Sequence, residues 1–533
     1  MAADPMARPP RPEHARLAAG GMVCTVDHQA SAAGVRLLAD GGNAVDAAIA
    51  ASAVLAVTTQ NMCGMGGDLW ALVHDGGPVP RALNASGRAG SGSDAARLRA
   101  EGHRSMPFRG DIRSVPIPGC VDGWLALHAG HGRAPLAEVL APAIETAERG
   151  FPVAPLLAGA IPSIAALDGA DDFRVDGRPA VTGDLVRRPG LARSLRAIVA
   201  EGRSGWYQGE FGRGLLRVGA GVYTADDLAR SQADWTEPVT VEAWGHRLFT
   251  VPPNSQGYLT LASAAIAAGL GLPTDGDDAL WAHLLVEASK QAAFDRLEVL
   301  YEGADGAALV ADQRLAARRA AISPHRAAPV VPPGMAGGTI YLCAVDRDQM
   351  GVSLIQSNAS GFGAHLTVPE VGVFLHNRGL GFNLTEGHPA ELTPGRRPPS
   401  TLSPALVTNP DGSLRTVIGT MGGDGQPQVV LQMLARLLHG GAAPGWALTA
   451  PRFTLTVPHA QGFDTWHRVD EMVVAIEAGT GWADGLAARG HRVETRAWGD
   501  GLFGHAHLID VHGPILAGVA DPRALTGAAI GLA

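Results

Sequence analysis

The chain is expected to mix α and β structure, on three observations. Residues from about 130 to 330 read mainly as helices, and residues after Thr339 read as a succession of short strands. Between them, residues 305–338 are rich in Ala, Arg, Pro and Gly and look like a mobile connector. Taken in order, residues 1–20 read as a tail, with the arginines from Arg8 to Arg16 broken up by prolines and an acid. Ala30 to Ala39 forms a first helix stopped by Gly41-Gly42. Asn43 caps a second helix to about Thr58, with Asp46 placed for a capping box. A glycine loop from Cys63 leads into a strand, Leu69 to His74. Pro142 to Arg149 and Asp278 to Tyr301 have apolar residues at helical spacing. Strands are expected at Ile340 to Val345, Val352 to Gln356, Val371 to Leu375, Leu402 to Thr408 and Leu414 to Gly419. Asn409-Pro410-Asp411-Gly412 turns the last pair into a hairpin. A helix from Pro427 to His439 begins on proline and stops at Gly440-Gly441.

Composition narrows the function. The 533 residues leave room for two or three ordinary domains. Glycine is abundant, at 70 residues, and aromatics make up 5%, which suits tight backbone packing and many turns. The net charge of −9, with no lysine-rich block, excludes a basic face for nucleic acid. Cys24, Cys63, Cys120 and Cys343 are scattered without Cys-x-x-Cys spacing, so neither a metal site nor a disulfide framework is indicated. Free thiols fit a reducing compartment, and the first 20 residues lack an apolar signal core, so a cytoplasmic location is expected. The longest apolar run, Ala47 to Val57 broken only by Ser52, falls short of the ~20 residues a membrane helix needs. No cofactor, membrane or nucleic-acid partner is expected.

The segment Gly337-Gly338-Thr339-Ile340-Tyr341-Leu342-Cys343-Ala344-Val345-Asp346 carries the chemistry. Two small glycines precede a hydroxyl residue, and an apolar run then draws it into a sheet. That suits scission before Thr339, which would free an α-amine to act as base for its own hydroxyl. An ordinary loop before a strand has the same local pattern. In Gly419-Thr420-Met421-Gly422-Gly423-Asp424-Gly425-Gln426-Pro427 a strand ends in glycines and a helix follows. The backbone N–H groups of Gly422 and Gly423 are therefore candidates to hold an oxyanion. A phosphate loop competes with this reading, but Gly-Lys-Ser/Thr is missing. His505 and His507 invite a metal reading, without a third ligand at suitable spacing.

Thr339 through Asp346 resembles the start of the small subunit in the gamma-glutamyltranspeptidase family, a Thr-x-x-x-x-Val-Val-Asp strand, with Ala344 in place of the first Val. Other stretches are similar in the same order: Gly41 to Ala48, Cys63 to Asp68, Pro118 to Trp124, Pro252 to Gly257, Glu287 to Lys290, Pro394 to Pro398, Gly422-Gly423 and Asp521 to Arg523. The resemblance implies an α+β fold, a four-layer αββα sandwich of the N-terminal nucleophile hydrolase type. It also implies two fragments in one domain, 1–338 and 339–533, forming a heterodimer that could itself dimerise. Thr339 is then the nucleophile and Gly422 and Gly423 the oxyanion donors. Ser400 and Thr401 correspond to a serine pair that binds substrate carboxylate. Ser357 corresponds to a threonine that supports the nucleophile. The family's asparagine aligns with Ala359, leaving Asn358 as a substitute.

Two departures bear on substrate. Where the family clamps the α-carboxylate with arginine, this chain has Ser86, with Arg88 two residues on. Where the family holds the α-ammonium with an acid, it has Gly381, with Arg378 just before it. A buried cation without a carboxylate is costly, so a free γ-glutamyl amine should bind poorly unless Asp68 or Asp424 moves in. Arg378 offers a fork suited to a carboxylate. The expected activity is a self-processing amidohydrolase, acting as hydrolase or transferase on γ-glutamyl-type amides or as hydrolase on small carboxylate-bearing amides such as oxamate. A β-lactam acylase is a further alternative, and an uncleaved binding homologue stands in another class.

Overall fold

The computed structural model describes residues 14–328, 338–457 and 471–533. Two seven-stranded sheets form its centre. Their strands, in chain order, are β1 (Arg16–Ala18), β2 (Gly21–Thr25), β3 (Asp68–His74), β4 (Arg81–Ala85), β5 (Asp234–Thr236), β6 (Val239–Ala243) and β7 (His246–Thr250). Beyond these come β8 (Gly338–Asp346), β9 (Gly351–Ala359), β10 (Ala405–Thr408), β11 (Leu414–Thr420), β12 (Ala506–His512), β13 (Ile515–Ala520) and β14 (Ala528–Leu532). One sheet runs β1-β13-β12-β11-β10-β7-β6 and the other β14-β2-β8-β9-β3-β4-β5. Each sheet therefore takes strands from both sides of Thr339.

Side chains along β8 alternate between two cores, as the period of a strand requires. Ile340, Leu342 and Ala344 join an apolar cluster with the outer helices. Tyr341, Cys343 and Val345 join a second cluster with Trp70, Phe249, Leu406, Val417 and Ile509, which fills the gap between the sheets. Against the outer face of the β8 sheet lie α1 (His28–Ala39), α2 (Ala44–Thr58) and α3 (Leu136–Arg149). Against the other sheet lie α4 (Tyr258–Ala268), α5 (Ala279–Ala293) and α6 (Gln426–Leu434). The result is the expected αββα sandwich.

Local signals account for several elements. Asn43 accepts from the Val45 and Asp46 N–H groups while Asp46 accepts from Asn43 N, a full capping box. All fifteen residues of α2 are buried, which its run of small alanines permits. The β10–β11 hairpin closes at Asn409 to Ser413, where Gly412 has φ +90°. The helix expected at Pro427 to His439 is α6 followed by a π turn, Ala435–His439.

Other expectations are corrected. Residues 130–330 are mainly helical, as expected, but the β6–β7 hairpin also lies within them. Its two-residue turn, Trp244-Gly245, has φ +50° and +78° at the two central positions, the primed geometry that matches strand twist. Val371 to Leu375 shrinks to a two-residue strand, Val373–Phe374. Within the expected 305–338 connector, Gly306–Leu309 and Asp312–Ala320 are helical, while 329–337 lie outside the described residues. Within the expected 1–20 tail, β1 pairs with β13 and Gly20 donates to Leu532 O, while 1–13 lie outside the described residues. No described helix is long and apolar enough to cross a membrane.

Candidate active site

The antiparallel ladder sets Thr339, Ser357 and Asp68 side by side on β8, β9 and β3. Each shares strand parity with residues of the inter-sheet core: Thr339 with Tyr341, Ser357 with Ile355, Asp68 with Trp70. All three thus face the gap between the sheets, at its end. The Thr339 and Ser357 hydroxyls lie 2.9 Å apart, a bond either can donate. Ser357 Oγ also accepts from Ala359 N at 2.8 Å. The register slips between Gly338 and Thr339, and Ala359 takes a left-handed φ of +69°. Thr339 has no exposed surface while the chain is continuous.

Asn358, inside this slip, turns away from its neighbours on the ladder. Its amide donates to Gln60 O at 3.0 Å, and its backbone bonds to Met62 and Asn377. It therefore braces the glycine loop instead of meeting the Thr339 hydroxyl. That loop needs its glycines: a Cβ on Gly66 would strike Phe374 O, and one on Gly67 would strike Ser357 O.

Arg378 opens a 3₁₀ turn, Arg378–Gly381. Its Nε donates to Asp68 Oδ2 at 2.7 Å and its Nη1 to Thr401 Oγ1 at 3.0 Å. Both charged side chains are fully buried. The fork expected to take a substrate carboxylate is thus engaged by Asp68. Ser400 and Thr401 follow in a turn whose Ser400 N donates to Asn254 O at 2.8 Å, and Ser400 Oγ accepts from Leu402 N at 3.3 Å. Gln256 Nε2 then bridges Thr401 O at 3.0 Å and Gly423 O at 3.1 Å. The N–H groups of Gly422 and Gly423 have no acceptor among the described residues. Arg296 completes the chain, donating to Asp424 Oδ1 at 2.7 Å and Gln256 Oε1 at 3.0 Å.

The ladder thus places the Thr339–Ser357 pair beside Asp68, and side-chain bonds run on from Asp68 through Arg378, Thr401 and Gln256 to Gly423, with Ser400 and Gly422 adjoining. The structure does not bring in Arg88. That guanidinium is bound by Asp234 and Ser231 O, beside Arg397, which binds the same Asp234. A buried arginine takes the carboxylate its own strands supply, and β5 supplies Asp234. Ser86, in the place of the family's arginine, donates its hydroxyl to Asn84 Oδ1 at 2.8 Å. Gln256 and Arg296 were not singled out from the sequence. Gln256 lies in a stretch that was, whereas Arg296 gives no local sign.

A hollow of about 70 Å³ opens beside this chain, lined by Arg296, Leu380, Gly381, Phe382, Thr401 and Asp424 among others. Thr339 does not line it.

His505 and His507 belong to a buried support behind the glycine turn. His505 O accepts from Met421 N at 3.1 Å, and His507 Nδ1 accepts from Asp521 N at 3.3 Å. Arg452 and Arg523 both bind Asp521. Burial pushes the His505 imidazole down to about 4 and that of His507 down to about 3. Among the described residues, three ligand-type side chains converge only at His283, Glu287 and His491. Lys290 Nζ donates to Glu287 Oε1 there at 2.7 Å, so an ammonium already neutralises the carboxylate.

The chain matches the family described as Gamma-glutamyltranspeptidase over residues 30–531. It is 34% identical to the Glutathione hydrolase-like YwrD proenzyme of Bacillus subtilis, over 96% of this chain and 98% of that one. It is 33% identical to the Oxamate amidohydrolase proenzyme of Klebsiella pneumoniae, again over 96% and 98%. Among solved structures, the cephalosporin acylase from Bacillus halodurans superimposes with a TM-score of 0.89 at 31% identity, over the whole of both chains.

Two predictions follow from this geometry. Arg378→Met or Asp68→Asn alone strands a buried charge or its partner and should cost about 3–5 kcal/mol, whereas Arg378→Met with Asp68→Leu should recover most of that. Thermal melting of the singles against the double decides, and an equally unstable double refutes the pair's role. The second concerns acid. The two imidazoles have folded pKa values below the ~6.5 of an unfolded histidine, so the unfolded chain binds the extra protons. Their stabilisation is complete above about 6.5 and drains as pH falls towards 4 and then 3, each contributing a slope of up to about 1.36 kcal/mol per pH unit. The melting temperature should drop between pH 6.5 and 4.5, less steeply in His507→Gln. An unchanged slope in that variant counts against it.

Proposed function

The chain belongs to the gamma-glutamyltranspeptidase family, and from that premise we propose that it is a self-processing amidohydrolase for small carboxylate-bearing amides. Scission of the Gly338–Thr339 bond frees the Thr339 amine. That amine takes the proton from Thr339 Oγ1 as the oxygen attacks the substrate carbonyl. The tetrahedral oxyanion lies against the N–H groups of Gly422 and Gly423, where each donor is worth about 2.7–4 kcal/mol in the transition state. The proton passes to the departing amine, the C–N bond breaks, and an acyl ester on Thr339 remains. Water, deprotonated by the same amine, then cleaves the ester and releases the acid.

The observation that carries this reading is the Thr339–Ser357 hydroxyl pair at the head of β8, set by the ladder beside Asp68, from which buried side chains run to the Gly423 turn. The family's members named proenzymes support the scission step. The substrate class rests on charge. Gly381 lines the hollow where the family places an acid for an α-ammonium, and a cation buried without a carboxylate is costly. Asp424, the acid that lines the hollow, is already bound by Arg296, which disfavours a free ammonium there. The carboxylate of the substrate would meet the Thr401 hydroxyl, whose oxygen is held by Arg378 Nη1. A second reading, acylase action on a β-lactam side chain, is favoured by the full-length likeness to the cephalosporin acylase. Turnover of oxamate, γ-glutamyl-p-nitroanilide and a glutaryl cephalosporin by the purified protein separates the three. Efficient glutamyl turnover with none of oxamate would overturn this choice of substrate.

Mature protein should run as fragments 1–338 and 339–533 that co-purify. Thr339→Ala should stay full length and Thr339→Ser should process slowly. Intact-mass spectrometry of active enzyme showing only the uncut chain would sink the mechanism. On the acid side, activity should rise with a single ionisation at roughly 7.7–8.0 before local shifts, since the neutral amine is the base. A pH–rate profile flat from 6 to 9 would contradict it.

A further inference from the structure

Gln256 touches both turns of the site and neither reacting atom. Its backbone N–H donates to Ser400 O at 2.9 Å, and its side-chain amide donates to Thr401 O at 3.0 Å and Gly423 O at 3.1 Å. Its Oε1 accepts from Arg296 Nη2 at 3.0 Å. The side chain is fully buried. The orientation of this amide is not arbitrary. A guanidinium can only donate, so the oxygen must face Arg296, and both amide hydrogens then point at the two carbonyls. A flipped amide would set donor against donor at Arg296 and oxygen against oxygen at both turns.

The glycine turn needs such a restraint. Gly422 and Gly423 adopt φ of +139° and +56°, in a region where glycine moves freely. Their donating N–H groups stay aimed only if the surrounding peptides are held. Gly425 N holds Gly422 O at 3.0 Å, His505 O holds Met421 N at 3.1 Å, Arg296 holds Asp424, and Gln256 holds Gly423 O. Of these, Gln256 alone also holds the Ser400–Thr401 turn.

We infer that Gln256, oriented by Arg296, is a positioning residue that fixes the distance between the carboxylate-anchoring turn and the oxyanion turn. The inference rests on the roles given to those turns under the proposed function. It places Gln256 in the turnover step and not in binding. A substrate anchored at Thr401 still binds when the bridge is lost, but its carbonyl oxygen no longer meets both N–H groups. A misplacement of about 1 Å can cost on the order of 100-fold in rate.

The test uses Gln256→Met, which keeps the length and removes every polar contact, on processed full-length enzyme with active sites counted by intact mass. With oxamate and γ-glutamyl-p-nitroanilide as probes, kcat should fall about 100-fold while KM stays within about threefold. Hydrogen–deuterium exchange should speed up in the peptide covering Met421 to Gly425. Arg296→Lys, which keeps a cation for Asp424 but loses the fork, should give the same pattern more weakly and serves if Gln256→Met does not fold. Wild-type kcat with unchanged exchange overturns the inference, and so does a loss confined to KM. If wild type turns over neither amide, the functional reading fails, and the exchange measurement still decides whether Gln256 holds the glycine turn.

Discussion

The register of β8 between β2 and β9 is the constraint on which the site depends. Alternate side chains of this strand are committed to two different cores, the helical layer on one face and the inter-sheet layer on the other. A slip of one residue would exchange the two sets, driving Tyr341 among the helices and Ile340 into the gap. Because the slip is forbidden by packing, the direction of Thr339 is settled by residues that take no part in chemistry. The same logic extends across the ladder to Ser357 and Asp68.

From that row the polar residues form a sequence of pairs that cancel charge as they go. Asp68 meets Arg378, and Asp424 meets Arg296, all four buried. Neutral groups, Thr401 and Gln256, link one pair to the other. A low-dielectric site tolerates ions only when each has a partner and hydrogen bonds to complete its shell. The arrangement gives each ion a partner, and among the described residues the Gly422 and Gly423 N–H groups have no acceptor.

Much of this was legible in the sequence because it is local. The Asn43 cap, the Asn409–Gly412 turn, the apolar strand behind Thr339 and the glycines before α6 each declare themselves within a few residues. The illegible part is long-range. Asp68 and Arg378 lie 310 positions apart, and nothing near either announces the other. Arg88 shows the cost of reading a charge from its neighbourhood: two residues from the expected arginine position, it is taken by Asp234, 146 positions away. The β6–β7 hairpin was missed for a milder reason. Trp244 at positive φ is an unusual turn residue, and the Gly245 beside it was not enough to mark a two-residue loop within a stretch read as helical.

Both sheets interleave strands from the two sides of Thr339. In the β8 sheet, β2, β3, β4 and β5 come from before it and β14, β8 and β9 from after it. Neither seven-stranded sheet belongs to one part alone, so a chain cut at this point cannot separate without losing its central ladders. Folding of the uncut precursor is a first-order event, with the two parts tethered at high effective concentration. Once cut, any molecule that unfolds must find its other half by diffusion, and its recovery becomes second order in protein. Scission would thus convert a reversible folder into one whose native state is kept by the height of its unfolding barrier, and dilution would make each loss permanent.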